Sequence, residues 1–242
     1  MTNVIIDNRR HKQPIVSIVI VTFNASKTLR KTLDSIFNLN LETIEVVVVD
    51  GDSDDDTVKI LKEYREFINY AISEHDKGIY DAMNKGVKLS KGKYVYFLGG
   101  DDLLLPDFFK MAKLAEESND ILYSNVRILS SGESYLGKFS KYKLMQCNIC
   151  HQSIFYPKDI LMTEMYDLTY PLLADYALNI TLFSKYHFEY IKLDICLYND
   201  QGASSSGDKK FELDKLTLIK DNFGSFYFFA KKIRNFLIRF KF

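Results

Sequence analysis

Three features of the sequence predict an α/β fold: a mostly parallel sheet flanked by helices, with a basic amphipathic helix at the C-terminal end. Apolar, β-branched runs alternate with amphipathic stretches at regular spacing up to residue 126, the pattern of right-handed βαβ units. Polar, carboxylate-rich clusters follow these runs. The closing segment sets aromatic residues at helical spacing among lysines and arginines.

Ser17–Thr22 (SIVIVT) reads as a strand buried on both faces. Asn24 and Ser26 offer capping oxygens to a helix that carries Leu29, Leu33, Ile36 and Phe37. Glu45–Val49 is a second buried strand and stops at Asp50. Asp54 to Asp56 are expected to cap the next helix, with Val58, Leu61 and Tyr64 inward. A short strand near Tyr70–Ser73 precedes a helix with Ile79, Met83 and Val87 on one face. Tyr94–Leu98 is the fourth strand, Pro106 suits a helix first turn, and Ile121–Val126 is the fifth strand. Beyond residue 127 the pattern is less regular, and no Pro/Gly/Ser linker or internal repeat divides it. One domain is therefore expected over 1–208, with halves at about 15–126 and 127–208, and a helical appendage over 209–242.

Composition removes several function classes. The 32 basic residues equal the 32 acidic ones, so no global field attracts nucleic acid. The segment Met1–Gln13 is polar and no uncharged run reaches bilayer-spanning length, which predicts a cytoplasmic protein. Three cysteines in that compartment are expected as free thiols. Cys147-Asn148-Ile149-Cys150-His151 spells a c-type haem string, but covalent haem attachment requires export, and a zinc site would need a second ligand pair. His11 and His187 read as surface or packing residues.

In open parallel sheets, ligands bind beyond the carboxyl ends of the strands. Thr22-Phe23-Asn24 closes the first strand and Asp50-Gly51-Asp52-Ser53 the second. Glu74-His75-Asp76-Lys77-Gly78 closes the third and Gly99-Gly100-Asp101-Asp102 the fourth. The pair Asp101–Asp102, after two glycines, is either a helix cap or an oxygen-ligand site for Mg²⁺ or Mn²⁺ shared with substrate phosphate. The string Val46–Asp52 also resembles the opening of a haloacid-dehalogenase-type phosphatase, except that a full βα unit precedes it here.

Taken in order, SIVIVTFN, VVVVDGDS, SEHDKGIYDAMNKG, KGKYVYFLGGDD and LLADYAL resemble inverting glycosyltransferase family 2, of the bacterial colanic-acid, O-antigen and capsule type, over about residues 17–205. The resemblance implies a GT-A, Rossmann-like nucleotide-binding sheet, a nucleotide-sugar donor with UDP as its expected nucleotide, and Mn²⁺ or Mg²⁺ as cofactor. It implies that Thr22, Asn24 and Asp50 hold the base and ribose, and that Asp76, Lys77, Asp81 and Asn84 line the donor pocket. Asp101 corresponds to the metal ligand, with Asp102 beside it, and Asp175 to the carboxylate that deprotonates the acceptor. His151-Gln152 corresponds to an acceptor-side pair ahead of an apolar strand at residues 153–156, and Gly202-Ala203-Ser204 to a mobile loop. His151 reads equally as a core histidine. The chain departs from the family pattern at Gly99, where a carboxylate or amide is common, and at Ala174, where Glu often precedes the base.

The rest of the expected function follows from that resemblance. The chain is expected to move a sugar to a glycan or lipid-linked acceptor in surface-polysaccharide or glycolipid assembly. The alternative is a non-catalytic nucleotide-sugar-binding or partner subunit. The tail places Phe226, Phe229, Ile233, Phe236, Leu237 and Phe240 on one stripe, with Lys231, Lys232, Arg234, Arg239 and Lys241 off it. Such a helix reads as an interfacial anchor on the inner face of the membrane, as a partner-binding helix, or as one packed on its own domain.

Overall fold

The computed structural model describes residues 3–8, 13–38, 42–135, 137–200 and 207–239. Among them, β1 (Asn3–Asp7), β2 (Val16–Thr22), β3 (Ile44–Asp50), β4 (Tyr70–Ser73), β5 (Tyr94–Gly99), β6 (Leu103–Leu104), β7 (Ile121–Ile128), β8 (Ile154–Pro157) and β9 (Phe188–Tyr198) form one sheet. Their spatial order is β1-β4-β3-β2-β5-β8-β7-β9-β6. The helices are α1 (Leu29–Phe37), α2 (Thr57–Glu63), α3 (Ile79–Leu89), α4 (Asp107–Glu117), α5 (Lys141–Leu144), α6 (Lys158–Thr163), α7 (Ala174–Lys185), α8 (Lys209–Phe223) and α9 (Ser225–Arg239).

The core strands β4, β3, β2 and β5 are mutually parallel. β8 runs antiparallel to both β5 and β7, so β7 and its parallel partner β9 share the core direction. Only β1, β6 and β8 reverse among the described strands, so the sheet is mostly parallel, as expected, with antiparallel members outside its parallel core. The chain leaves β2 for β3 and β4 on one side, then returns to place β5 on the other. That reversal is a topological switch point, where α/β sheets leave a crevice for ligands.

Both faces of the core strands are buried because both are covered by helices. Val16, Ile18 and Ile20 of β2 face one core with Leu29, Leu33 and Ile36 of α1, Ile60 and Leu61 of α2, and Phe108 and Met111 of α4. Val19 faces the other core with Met83 and Val87 of α3, Ala174, Tyr176, Leu178, Ile180 and Leu182 of α7, and Phe211, Ile219 and Phe223 of α8. α3 lies so close to β2 that a Cβ on Gly86 would stand 2.3 Å from Val19 Cγ1.

Several expectations are corrected here. Ile79, expected on the inward face of α3, is exposed. α1 begins at Leu29 without a side-chain cap from Asn24 or Ser26, and Asp56 makes no cap bond to α2. The polar start contains edge strand β1, which pairs antiparallel with β4. α8 contributes Phe211, Ile219 and Phe223 to the core, and Tyr227 of α9 packs against it. The aromatic stripe of α9 faces solvent, with Phe226 77% exposed and Phe229, Ile233, Phe236 and Leu237 also exposed. Lys231 is turned inward and Arg234 is half-buried. Phe240, Lys241, His11 and Gly202-Ala203-Ser204 lie outside the described residues.

Candidate active site

The turns after β2 and β3 are latched together. Asn24 has φ 50°, a left-handed conformation that Asn tolerates. Its backbone N–H donates to Ser53 Oγ at 2.9 Å, and its Oδ1 accepts from the Asp54 N–H at 3.1 Å. The Ala25 N–H donates to Thr57 Oγ1 and the Ser26 N–H to Asp55. Asp55, which also accepts from both the N–H and the hydroxyl of Thr57, is held well below the usual carboxylate range by these donors. The capping oxygens expected for α1 therefore join the two turns instead. Phe23, 68% exposed, stands at the mouth.

Asp50 has no exposed surface. It accepts from Thr22 Oγ1 at 2.9 Å, Ser73 Oγ at 2.7 Å, and the Ser53 N–H and hydroxyl at 3.0 and 2.6 Å. Four donors from β2, the β3 turn and β4 fill its acceptor sites, so it ties three strand ends together.

Asp76 crosses from the end of β4 to meet them. A Cβ on Gly51 would lie 2.6 Å from Asp76 Oδ2 and 3.4 Å from Phe23 Cδ2, so glycine leaves the space in which the carboxylate and the ring converge. Asp76 Oδ1 accepts from the Gly78 N–H, and Asp81 Oδ2 from the Lys77 N–H. Lys85 pairs with Glu74 at 2.9 Å and with Asp81 at 3.6 Å. Asn84, expected in the donor pocket, spends both ends of its amide on the Tyr166 backbone, at 3.0 Å each. It is a buried clamp between α3 and the 164–173 segment.

Asp101 and Asp102 differ sharply. Asp101 is half-buried, and its Oδ2 accepts from Asn199 Nδ2 at 2.8 Å. Asp102 is 1% exposed. It accepts from the Asn199 N–H at 2.7 Å, Gln152 Nε2 at 2.8 Å and the Gly99 N–H at 3.2 Å. Burial pushes its carboxyl up to about 6 against the pull of these donors. A Cβ on Gly99 would meet Asp102 Oδ2 at 2.6 Å and Asp101 Oδ1 at 2.9 Å, so a larger residue there would have to displace both carboxylates from the positions they hold.

Asp175 opens α7, half-buried. Tyr80 Oη donates to Oδ1 at 2.7 Å and Asn148 Nδ2 to Oδ2 at 2.6 Å. Behind Asn148 runs a directed chain: Tyr156 Oη donates to Asn179 Oδ1 at 2.8 Å, and Asn179 Nδ2 to Asn148 Oδ1 at 2.9 Å. The tyrosine hydroxyl sets the orientation of both amides, so Asn148 presents its donor to Asp175. His151 Nε2 is 2.7 Å from Tyr166 Oη, its ring packed on Phe97. Burial holds the imidazole below its usual range, while the Asp175 charge acts in the opposite sense. The segment 148–152 thus joins the two carboxylate centres, reaching Asp175 through Asn148 and Asp102 through Gln152. His187 pairs with Asp120 on the surface, as expected, and all three cysteines are free thiols.

The structure adds Tyr80, Asn148, Asn179 and Asn199 to the residues expected from the sequence. Among the described residues, no three His, Cys, Asp or Glu side chains group to hold a metal ion. A divalent ion that keeps substrate phosphates and water among its ligands needs only one or two protein carboxylates. The partly open Asp101 meets that condition, while Asp102 has its oxygens engaged.

A mostly parallel sheet with carboxylates gathered at its switch point is the arrangement in which α/β proteins leave a crevice for ligands. Residues 17–189 match the family model for glycosyl transferase family 2. The chain belongs to that family of glycosyltransferases. It is 35% identical, over 82% of its length and 82% of the relative's, to a PGL/p-HBAD biosynthesis glycosyltransferase of Mycobacterium bovis. It is 29% identical to the chondroitin synthase of Escherichia coli, over 84% of this chain and 31% of that one. The fold is the GT-A fold. Staphylococcus aureus TarS in complex with UDP-GlcNAc superposes with a TM-score of 0.71 at 18% identity, over 86% of this chain and 66% of that one. The mannosyltransferase PcManGT of Pyrobaculum calidifontis, in complex with GDP-Man and Mn²⁺, gives a TM-score of 0.62 at 16% identity, over 96% and 67%. Among the described residues no helix is long and apolar enough to cross a membrane.

Proposed function

We propose that the chain is an inverting glycosyltransferase that moves a sugar from a nucleotide-diphosphate donor, a UDP-sugar, to a glycan or lipid-linked saccharide in surface-polysaccharide or glycolipid assembly. The observation that carries this reading is the setting of Asp175. Two neutral donors, Tyr80 and Asn148, hold the carboxylate in place. Among the described residues no cation pairs with it, so a lone pair remains for an acceptor hydroxyl. In the proposed reaction that hydroxyl oxygen attacks the anomeric carbon as its proton passes to Asp175. The bond to the diphosphate breaks, and the nucleoside diphosphate leaves with the electron pair. One displacement inverts the centre, and general-base help of this kind contributes about a hundred- to ten-thousand-fold.

In this reading the donor lies in the β2–β5 crevice. Thr22, Asn24 and Phe23 border its base and ribose, Asp50 fixes the three strand ends beneath, and Asp76, Lys77 and Asp81 line the approach. Asp101 would hold Mn²⁺ or Mg²⁺, which as a Lewis acid would neutralise charge on the leaving diphosphate. Asp102, Gln152 and Asn199 position Asp101, and His151 with Gln152 borders the acceptor. Relatives named for polysaccharide and glycolipid synthesis, and a neighbour solved with UDP-GlcNAc, support the pathway and the nucleotide. The outward stripe of α9 supports attachment at the inner face of the membrane.

The test is transfer from a panel of nucleotide sugars to saccharide acceptors, with Mn²⁺ and with EDTA. Metal-dependent turnover with inversion is expected. Donor binding without turnover across the panel would favour a binding subunit.

A further inference from the structure

Lysines are rarely buried without a paired charge, yet α8 and α9 bury two side by side. Lys215 is 9% exposed and Lys231 is 8% exposed. Arg234, one turn beyond Lys231, is half-buried and acts electrostatically on both. Among the described residues none of the three forms an ion pair with a carboxylate. Glu212 is the acidic side chain within electrostatic reach, and it is exposed. The Lys215 ammonium lies 4.3 Å from the ring centroid of Tyr176 and 5.4 Å from that of Phe211. The rings offset part of the burial cost but accept none of its three hydrogen bonds. Lys231 donates to one neutral acceptor, Gln146 Oε1, at 3.2 Å. The other end of the same amide, Gln146 Nε2, is buried without a partner. A buried donor left unpaired beside unneutralised cations calls for an acceptor that is not part of the chain.

The location says what that acceptor serves. Gln146 and Cys147 immediately precede Asn148, which holds Asp175 at 2.6 Å. Tyr176, which carries Lys215 on its ring, immediately follows Asp175. Cys147 feels the charges of Lys143, Lys215, Lys231 and Arg234. Asp101, proposed for the donor's diphosphate, is reached from the far end of the same segment, through Asp102 and Gln152.

We propose that Lys215, Lys231, Arg234 and the Gln146 amide form an anion subsite that takes a phosphate or diphosphate group of the acceptor beside Asp175, a proposal that rests on the assignment of Asp175 as the base. The bound anion gives the buried ammonium groups the acceptors they lack, and a charge-assisted contact of this kind is the strong form of the hydrogen bond. Burial, and then the Lys231 charge, hold Lys215 down to about 8. A phosphate in the subsite opposes both.

The test is calorimetric titration of the whole chain with inorganic pyrophosphate in EDTA, which disables any metal-dependent donor site. Pyrophosphate should bind the native protein. Binding should weaken at least about tenfold in Lys215→Met/Lys231→Met, persist in Lys215→Arg, and be unchanged in Asp101→Asn. Should the double variant fail to melt cooperatively, Arg234→Gln, at a half-exposed position, is the arbiter and should also weaken binding. A long-chain alkyl diphosphate in neutral micelles separates the two sources. Binding as tight as that of pyrophosphate, or tighter, identifies a lipid-linked acceptor, and pyrophosphate binding alone identifies a soluble phosphorylated one. No binding of pyrophosphate to the native protein, or native affinity in the folded variants, overturns the subsite. The readout involves no sugar transfer. Pyrophosphate binding without turnover would sink the transferase reading alone, and turnover without pyrophosphate binding would sink the subsite alone.

Discussion

Asp50, Asp102 and Asp175 are all carboxylates at the ends of secondary-structure elements, but their partners divide the work between structure and chemistry. Asp50 accepts four bonds and Asp102 three, all from inside the protein. Asp175 and Asp101 keep part of their surface open. Asp101→Asn should therefore abolish the Mn²⁺ dependence of nucleotide affinity while leaving the melting curve within a few degrees of native; equal metal enhancement in the variant would remove Asp101 from the site. Lys215 yields a prediction about pH. Its folded value of about 8 lies below the ordinary 10.5, so between these the unfolded chain binds more protons and stability rises with pH. In phosphate-free buffer the gain from pH 8 to 10.5 should reach about 3 kcal/mol. It is lost as pH falls, and Lys215→Met should lack it. Denaturant unfolding of both proteins across that window measures the difference, and parallel curves would contradict the assignment. The sequence pointed to Asp101 because carboxylates at strand ends carry a pattern, and to Asp175 only through the family resemblance of LLADYAL. It could not point to Asn148, Asn179, Asn199 or Tyr80, whose bonds join residues 27, 31, 98 and 95 positions apart.

Among the elements, strands buried on both faces were the ones legible in the sequence. β2, β3 and β5 are largely apolar runs and β7 opens with one at Ile121–Tyr123, and their burial patterns are nearly uniform. β1 and β9 escaped notice because each leaves residues exposed and carries charged side chains among its apolar ones. The start of α8 is rich in lysine, which hides that Phe211, Ile219 and Phe223 enter the core. Likewise, nothing in the sequence marks Gly86 as the point where α3 touches β2. Gly86→Ala would place Cβ 2.3 Å from Val19 Cγ1. Overpacking of about 1–3 kcal/mol should exceed the helix-propensity gain of about 1 kcal/mol. A melting temperature lowered by a few degrees is expected, with activity falling too because Tyr80 and Asp81 ride on the same helix. A rise in melting temperature would show that α3 is not so close.

For the molecule as a whole, the outward stripe of α9 and the inward turn of Lys231 and Arg234 change how the proposed membrane attachment should behave. With those cations withdrawn, apolar burial dominates over a surface charge term of about 1 kcal/mol per exposed cation. Phe229→Ser/Ile233→Ser/Phe236→Ser should release the protein from anionic vesicles without shifting its melting temperature, since all three side chains are exposed. The native protein should stay bound as salt rises. Release of the native protein by salt alone would show that charge governs the attachment. The most direct measurement of the account as a whole is the transfer rate of Asp175→Asn, with donor affinity determined on the same preparation. Turnover should fall about a hundred- to ten-thousand-fold at unchanged donor affinity, and a rate within a few-fold of native would contradict the central claim that Asp175 takes the proton.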